Sequence, residues 1–123
     1  MIVSIIVAIA LGAGGAYDNA FERGNTAYGQ GDYNSAIGVF EQLVAEGVTQ
    51  APVFCNLGNA YYRAGNIGAA IANYERALHV APAYAPAQRN LEFCIAKTQR
   101  QWGRPLPPPW QESLLMWHDN WSP

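Results

Sequence analysis

Apolar residues recur along this chain at helical spacing. Phe54, Leu57, Tyr61 and Tyr62 fall on one face of a helix. Ile67, Ala70, Ile71, Tyr74, Ala77 and Leu78 make a second stripe of the same kind. Gly65-Asn66 separates them. Glycine tolerates the left-handed conformation that ends helices, and asparagine suits the N-cap of the next. Pro82 stops the second stripe. The pattern predicts two antiparallel helices joined by a short turn. Gly58 and Ala70 lie where the pair must approach closely, and a larger side chain there costs about 1–3 kcal/mol.

The same pattern occurs twice. When the chain is shifted by 34 residues, Gly24–Val44 falls on Gly58–Leu78 without a gap. Gly24, Asn25, Tyr28, Gly31, Ala36, Ile37 and Glu41 then meet identical residues, and Phe40 meets Tyr74. A hairpin of this size leaves one apolar face uncovered, and stacking of roughly three units buries it. A partial third unit begins at Ala85, with Leu91 in phase with Leu57 and Glu92 where Gly58 stood. It predicts a single helix to Gln101 whose more polar outer face caps the stack. Gly103, Pro105 and Pro107–Pro109 end the helical region.

Residues 51–84 resemble the tetratricopeptide repeat (TPR). Phe54, Leu57, Gly58, Tyr61, Ala70, Tyr74, Ala77 and Pro82 fill its signature positions. Residues 17–50 form a degenerate copy that keeps Gly24, Ala36 and Phe40 but puts Leu43 and Val48 where Ala77 and Pro82 stand. The resemblance implies an all-α fold: a short helix-turn-helix solenoid of two repeats, 17–50 and 51–84, with a capping helix over 85–102. An apolar segment, 1–16, precedes it and a Pro/Trp-rich tail, 103–123, follows.

A narrower resemblance runs from Gly24, through CNLGNAYYRAGNIGAAIANYERAL, to Arg89-Asn90-Leu91-Glu92-Phe93. This stretch is similar to the TPR component of Bat (Bacteroides aerotolerance) operons. That likeness implies the bacterial cell envelope, periplasmic or membrane-associated, and partners with von Willebrand factor A domains. The membrane span typical of those proteins has no counterpart up to Pro123, which marks either a fragment or a departure from the pattern.

TPR arrays bind peptides along their first helices. The resemblance therefore implies a protein- or peptide-binding groove lined by Phe21, Asn25, Tyr28, Asn59, Tyr62, Arg63, Arg89, Phe93 and Lys97. Asparagine both donates to and accepts from a ligand backbone. Tyrosine and phenylalanine give rigid apolar contact. Arg63, Arg89 and Lys97 attract a carboxylate or an acidic segment. The carboxylate clamp of chaperone-binding TPRs is incomplete. Asn25 and Asn56 occupy its asparagine positions, but its three cationic positions hold Phe21, Pro86 and Asn90.

The two ends have a different character. Ile2–Leu11 is apolar except for Ser4, and small residues follow to Ala16. The run is short for a bilayer span but suits a secretory signal cleaved after Ala16, or a short anchor. A buried first helix is the competing reading, since no Lys or Arg precedes the run. In the tail, Trp110, Leu114, Trp117 and Trp121 fall on one helical face. This stripe suits a membrane interface, or docking back onto the third helix.

Composition narrows the function. The chain is 50% hydrophobic and 13% charged with a net charge of -2, so it lacks the basic stripe that nucleic-acid binding requires. Cys55 and Cys94 are too few for a disulfide framework or a zinc site. His79 and His118 lie on different elements, and Glu41 and Glu75 are repeat equivalents. Gly12–Gly15 lacks the Lys and Ser/Thr of a phosphate loop. The expectation is an interaction scaffold without catalytic residues, metal or cofactor. The alternatives are a structural subunit stable only when docked in a larger assembly, and a cytoplasmic rather than an envelope location.

Overall fold

The computed structural model describes the backbone of residues 2–102 and the side chains of residues 14–100. Five helices follow one another: α1 (Ile2–Gly29), α2 (Tyr33–Ala45), α3 (Ala51–Arg63), α4 (Ile67–Val80) and α5 (Ala85–Trp102). Each packs on the next, α1 also touches α3, and α3 touches α5. The described residues form an all-helical stack, consistent with a TPR solenoid. α1 continues through Ala16 and Tyr17, where the sequence places the boundary between leader and repeat. The Trp110, Leu114, Trp117 and Trp121 stripe lies outside the described residues.

Local chemistry sets the helix ends. α1, α2 and α3 all stop on a left-handed glycine: Gly31 (φ 81), Gly47 (φ 90) and Gly65 (φ 90). Each terminus has the same pair of closing bonds. Gly65 N–H donates to the Tyr62 carbonyl at 3.1 Å and Asn66 N–H to the Tyr61 carbonyl at 2.9 Å. Gly31 and Asp32, and Gly47 and Val48, repeat this geometry. These are Schellman ends, which satisfy carbonyls that a helix terminus otherwise leaves open. Asp32 then caps α2 by accepting from Ser35 N–H at 3.1 Å, and Asn66 caps α4 by accepting from Ala69 N–H at 3.1 Å. α3 carries Pro52 in its first turn, where the missing N–H costs nothing. Pro86 holds the matching place in α5.

The core has two parts that meet at α3. Ala36, Phe40 and Leu43 of α2 pack with Val53, Leu57 and Ala60 of α3. Phe54 and Cys55 of α3 pack with Ala70, Tyr74 and Ala77 of α4 and with Ala87 and Cys94 of α5. Adjacent α3 residues thus serve different neighbours, and α3 is the central helix.

Two contacts fix how closely each hairpin closes. A Cβ built on Gly58 would lie 2.6 Å from Cε1 of Tyr74, and one built on Gly24 would lie 2.6 Å from Cε1 of Phe40. Both rings are buried and lie directly over bare backbone. The third equivalent residue, Glu92, is exposed. Gly58→Ala should therefore destabilise the protein by about 1–3 kcal/mol, because the buried ring has nowhere to go. Gly24→Ala should behave alike, and Glu92→Ala should stay within about 0.5 kcal/mol of the parent. Thermal unfolding followed by far-UV circular dichroism checks this. Equal melting temperatures for Gly58→Ala and Glu92→Ala would contradict it.

Candidate partner-binding groove

Stacking brings the first helices of the three units side by side. Between them lies a groove of about 340 Å³ lined by Tyr28 of α1, Asn59, Tyr62 and Arg63 of α3, Tyr74 of α4, and Asn90, Phe93 and Cys94 of α5. Its floor is polar and ordered. Asn59 Oδ1 accepts from the Tyr74 hydroxyl at 2.8 Å and from Asn90 Nδ2 at 2.8 Å. Asn59 Nδ2 has no partner among the described residues, so a donor remains for a ligand. The preceding unit repeats the step, with Asn56 Nδ2 donating to Asn25 Oδ1 at 2.8 Å. A two-rung asparagine ladder thus ties each first helix to the next. The rungs differ in one respect: Phe40 stands where Tyr74 would be and brings no hydroxyl to Asn25.

Aromatic rings form the walls. Tyr62 and Phe93 meet edge to face with centroids 5.9 Å apart, and Tyr28 meets Tyr33 in the same way at 5.4 Å. Cations rest on these rings. The Arg63 guanidinium sits 5.0 Å from the Tyr33 centroid, and Lys97 Nζ sits 5.0 Å from that of Tyr62. Lys97 also donates to the Tyr62 hydroxyl at 3.0 Å. Such stacking holds a long side chain in place while its charge stays available. No Asp or Glu is among the lining residues.

Burial pushes the Tyr74 phenol well above its usual range, so it stays a neutral donor to Asn59. Burial also raises the thiols of Cys55 and Cys94, which disfavours the thiolate that nucleophilic or metal chemistry needs. Among the described residues no group of three or more His, Cys, Asp or Glu is placed to hold a metal ion.

Of the nine residues expected in the groove, Tyr28, Asn59, Tyr62, Arg63 and Phe93 line it, and Lys97 joins through Tyr62. Asn25 lies one rung away, bonded to Asn56. Phe21 stands elsewhere. It is half-buried in the first hairpin, stacked on Tyr17 at 5.7 Å and edge-on to Phe40 at 5.9 Å. Arg89 is exposed and is not among the lining residues. The equivalent of both is Cys55, which is buried in the core. In α1 and α3 that position therefore faces the packing side of the helix, whereas in α5 it is exposed. Tyr74, Asn90 and Cys94 also line the groove and were missed. The signal for Asn90 was its 34-residue offset from Asn56.

A larger groove of about 530 Å³ runs past Thr49, Phe54, Ala72, Glu75, Arg76, His79 and Val80. Its cation is already engaged. Arg76 lies 4.8 Å from the Phe54 centroid and donates to Asn73 Oδ1 at 3.4 Å. It lacks the converging donors of the first groove, so the smaller groove is the better candidate site.

Comparison with known proteins bears on the second hairpin. A family model described as Tetratricopeptide repeat matches residues 51–84, the span of α3, α4 and the turn that follows. No curated protein matches the chain. Residues 51–84 are thus a tetratricopeptide repeat, a unit that generally serves as a non-catalytic protein-interaction module.

Proposed function

We propose that the chain binds an extended segment of a partner protein along the groove between α1, α3 and α5. The observation that carries this reading is Asn59. Its oxygen is saturated by Tyr74 and Asn90, and its amide donor remains for a backbone carbonyl. Tyr28, Tyr62 and Phe93 add apolar contact on either side. Arg63 and Lys97, with no acid in the lining, favour a segment that carries carboxylates.

Tyr62→Ala with Arg63→Ala tests the groove while sparing the ladder. Asn59→Ala is a poorer probe, since it leaves Tyr74 and Asn90 without their acceptor. Tagged full-length protein recovers partners from detergent-solubilised host membranes. Their measured affinity should fall at least about tenfold in the double variant, the loss expected for two contact residues worth about 1 kcal/mol or more each. Helix content should not change. Equal affinity for parent and variant would remove the groove from the function.

We further propose that the module works at the bacterial cell envelope beside partners of the von Willebrand factor A type. Two sequence features support this: the apolar run Ile2–Leu11 and the Bat-like stretch from Gly24 to Phe93. The protein should then sediment with membranes and resist a high-salt wash, and von Willebrand factor A proteins should be among those it recovers. Recovery in the soluble fraction without such partners would overturn the placement.

A further inference from the structure

We propose that the bound segment carries two acidic side chains two residues apart, Asp/Glu-x-Asp/Glu, and that Arg63 and Lys97 take one carboxylate each. This names the chemistry of the segment that the groove accepts, and it rests on the groove reading.

Arg63 and Lys97 are repeat equivalents, 34 residues apart on α3 and α5. The equivalent on α1 is Gly29, so the three first helices offer two cations in this row and not three. Both cations are held in the same manner. Each rests on a tyrosine of the preceding unit, Arg63 on Tyr33 and Lys97 on Tyr62, at 5.0 Å from the ring centroid. A ring beneath a long side chain restricts where its charge sits and leaves outer N–H groups for a ligand.

The groove does not supply its own counter-charge. No Asp or Glu lines it, and Lys97 Nζ donates to a neutral group, the Tyr62 hydroxyl, at 3.0 Å. Asp32, next to Tyr33, caps α2 and accepts from Ser35 N–H at 3.1 Å. Glu92, next to Phe93, is exposed and is not among the lining residues. Two fixed cations without an acid between them call for two carboxylates from the ligand.

Spacing selects which two. Packed helices lie about 8–10 Å apart, which sets the separation of equivalent residues on neighbouring first helices. In an extended chain, side chains two residues apart share a face and stand about 6.6 Å apart. The reach of the arginine and lysine side chains covers the difference. Adjacent acids point to opposite faces, so only one of them meets the cation row. Acids four residues apart stand about 13 Å apart and overshoot it. Asn59 lies one turn before Arg63 on α3, so its Nδ2 is placed for a backbone carbonyl near the acidic pair.

Three synthetic peptides test this, each labelled at its N-terminus and amidated at its C-terminus so that no terminal carboxylate contributes. They are Phe-Ala-Glu-Ala-Glu-Ala-Phe, its isomer Phe-Ala-Glu-Glu-Ala-Ala-Phe, and the neutral Phe-Ala-Gln-Ala-Gln-Ala-Phe. In fluorescence-anisotropy titrations of the full chain, the first should bind about fivefold more tightly than the isomer, the gain of one further ion pair. It should bind at least about tenfold more tightly than the neutral peptide, which pairs with neither cation. Arg63→Gln and Lys97→Gln should each erase the preference for the first peptide over its isomer and leave the neutral peptide's affinity unchanged. Lys97→Arg should keep the preference. Equal affinity of the parent for the first two peptides would overturn the paired-acid reading. So would glutamine variants that weaken the neutral peptide as much as the first, or a parent that binds none of the three. In each of these cases the partners recovered from the host decide the groove itself. Partner affinity lost in Tyr62→Ala/Arg63→Ala leaves the groove standing with another ligand chemistry, and unchanged affinity removes both.

Discussion

An aromatic ring resting on bare backbone governs this molecule. Tyr74 on Gly58, and Phe40 on Gly24, set how closely the two helices of each hairpin approach. That approach determines which side of each first helix is buried. In α3, Val53 and Leu57 turn toward α2 and Phe54 and Cys55 toward α4 and α5. What remains, Asn59, Tyr62 and Arg63, faces the groove. The ring does more than fill space, because the Tyr74 hydroxyl reaches Asn59 from below the groove floor. One side chain thus closes the hairpin and orients the amide that would meet a ligand. In the first unit Phe40 closes the hairpin but cannot perform the second task, and Asn25 relies on Asn56 alone.

The units are also tied across their boundaries by polar contacts on different elements. The asparagine ladder joins α1 to α3 and α3 to α5. The Tyr61 hydroxyl donates to the Glu41 carboxylate, joining α3 to α2, and this bond together with burial raises the Tyr61 phenol. Ile95 occupies the place that would offer the same bond to Glu75, and it is 39% exposed. Neighbouring hairpins therefore share more than apolar surface, which matters for a stack too short to rely on area alone.

Much of this was legible in the residues. The Gly65-Asn66 pair, the glycine at 58 and Pro82 announce the turn, the close approach and the end of α4, because each is a local steric requirement. The groove positions of Asn59, Tyr62 and Phe93 followed from the likeness to the tetratricopeptide repeat. Phe21 shows where that reasoning stops. Its equivalents are Cys55 and Arg89, one buried and one exposed, so residue type does not report which way the position faces. Packing of α1 on α2 decides it. The partnership of Asn90 with Asn59 was hidden for a similar reason. It depends on the offset between two helices that share no local sequence, and only the 34-residue arithmetic from Asn56 hints at it. The unbroken course of α1 through Ala16 has no signal in composition, which changes sharply there while the backbone does not.

Glu92 gives the stack a direction of growth. A charged side chain where a ring would need bare backbone forbids a further second helix from closing on α5 as α4 closes on α3. A ring therefore cannot rest on α5 at that position as Tyr74 rests on Gly58. The junction near Pro82 carries no such block, since Ala51-Pro52 and Ala85-Pro86 open their helices alike. A duplicated 34-residue segment inserted there would meet compatible neighbours on both sides and extend the asparagine ladder by one rung.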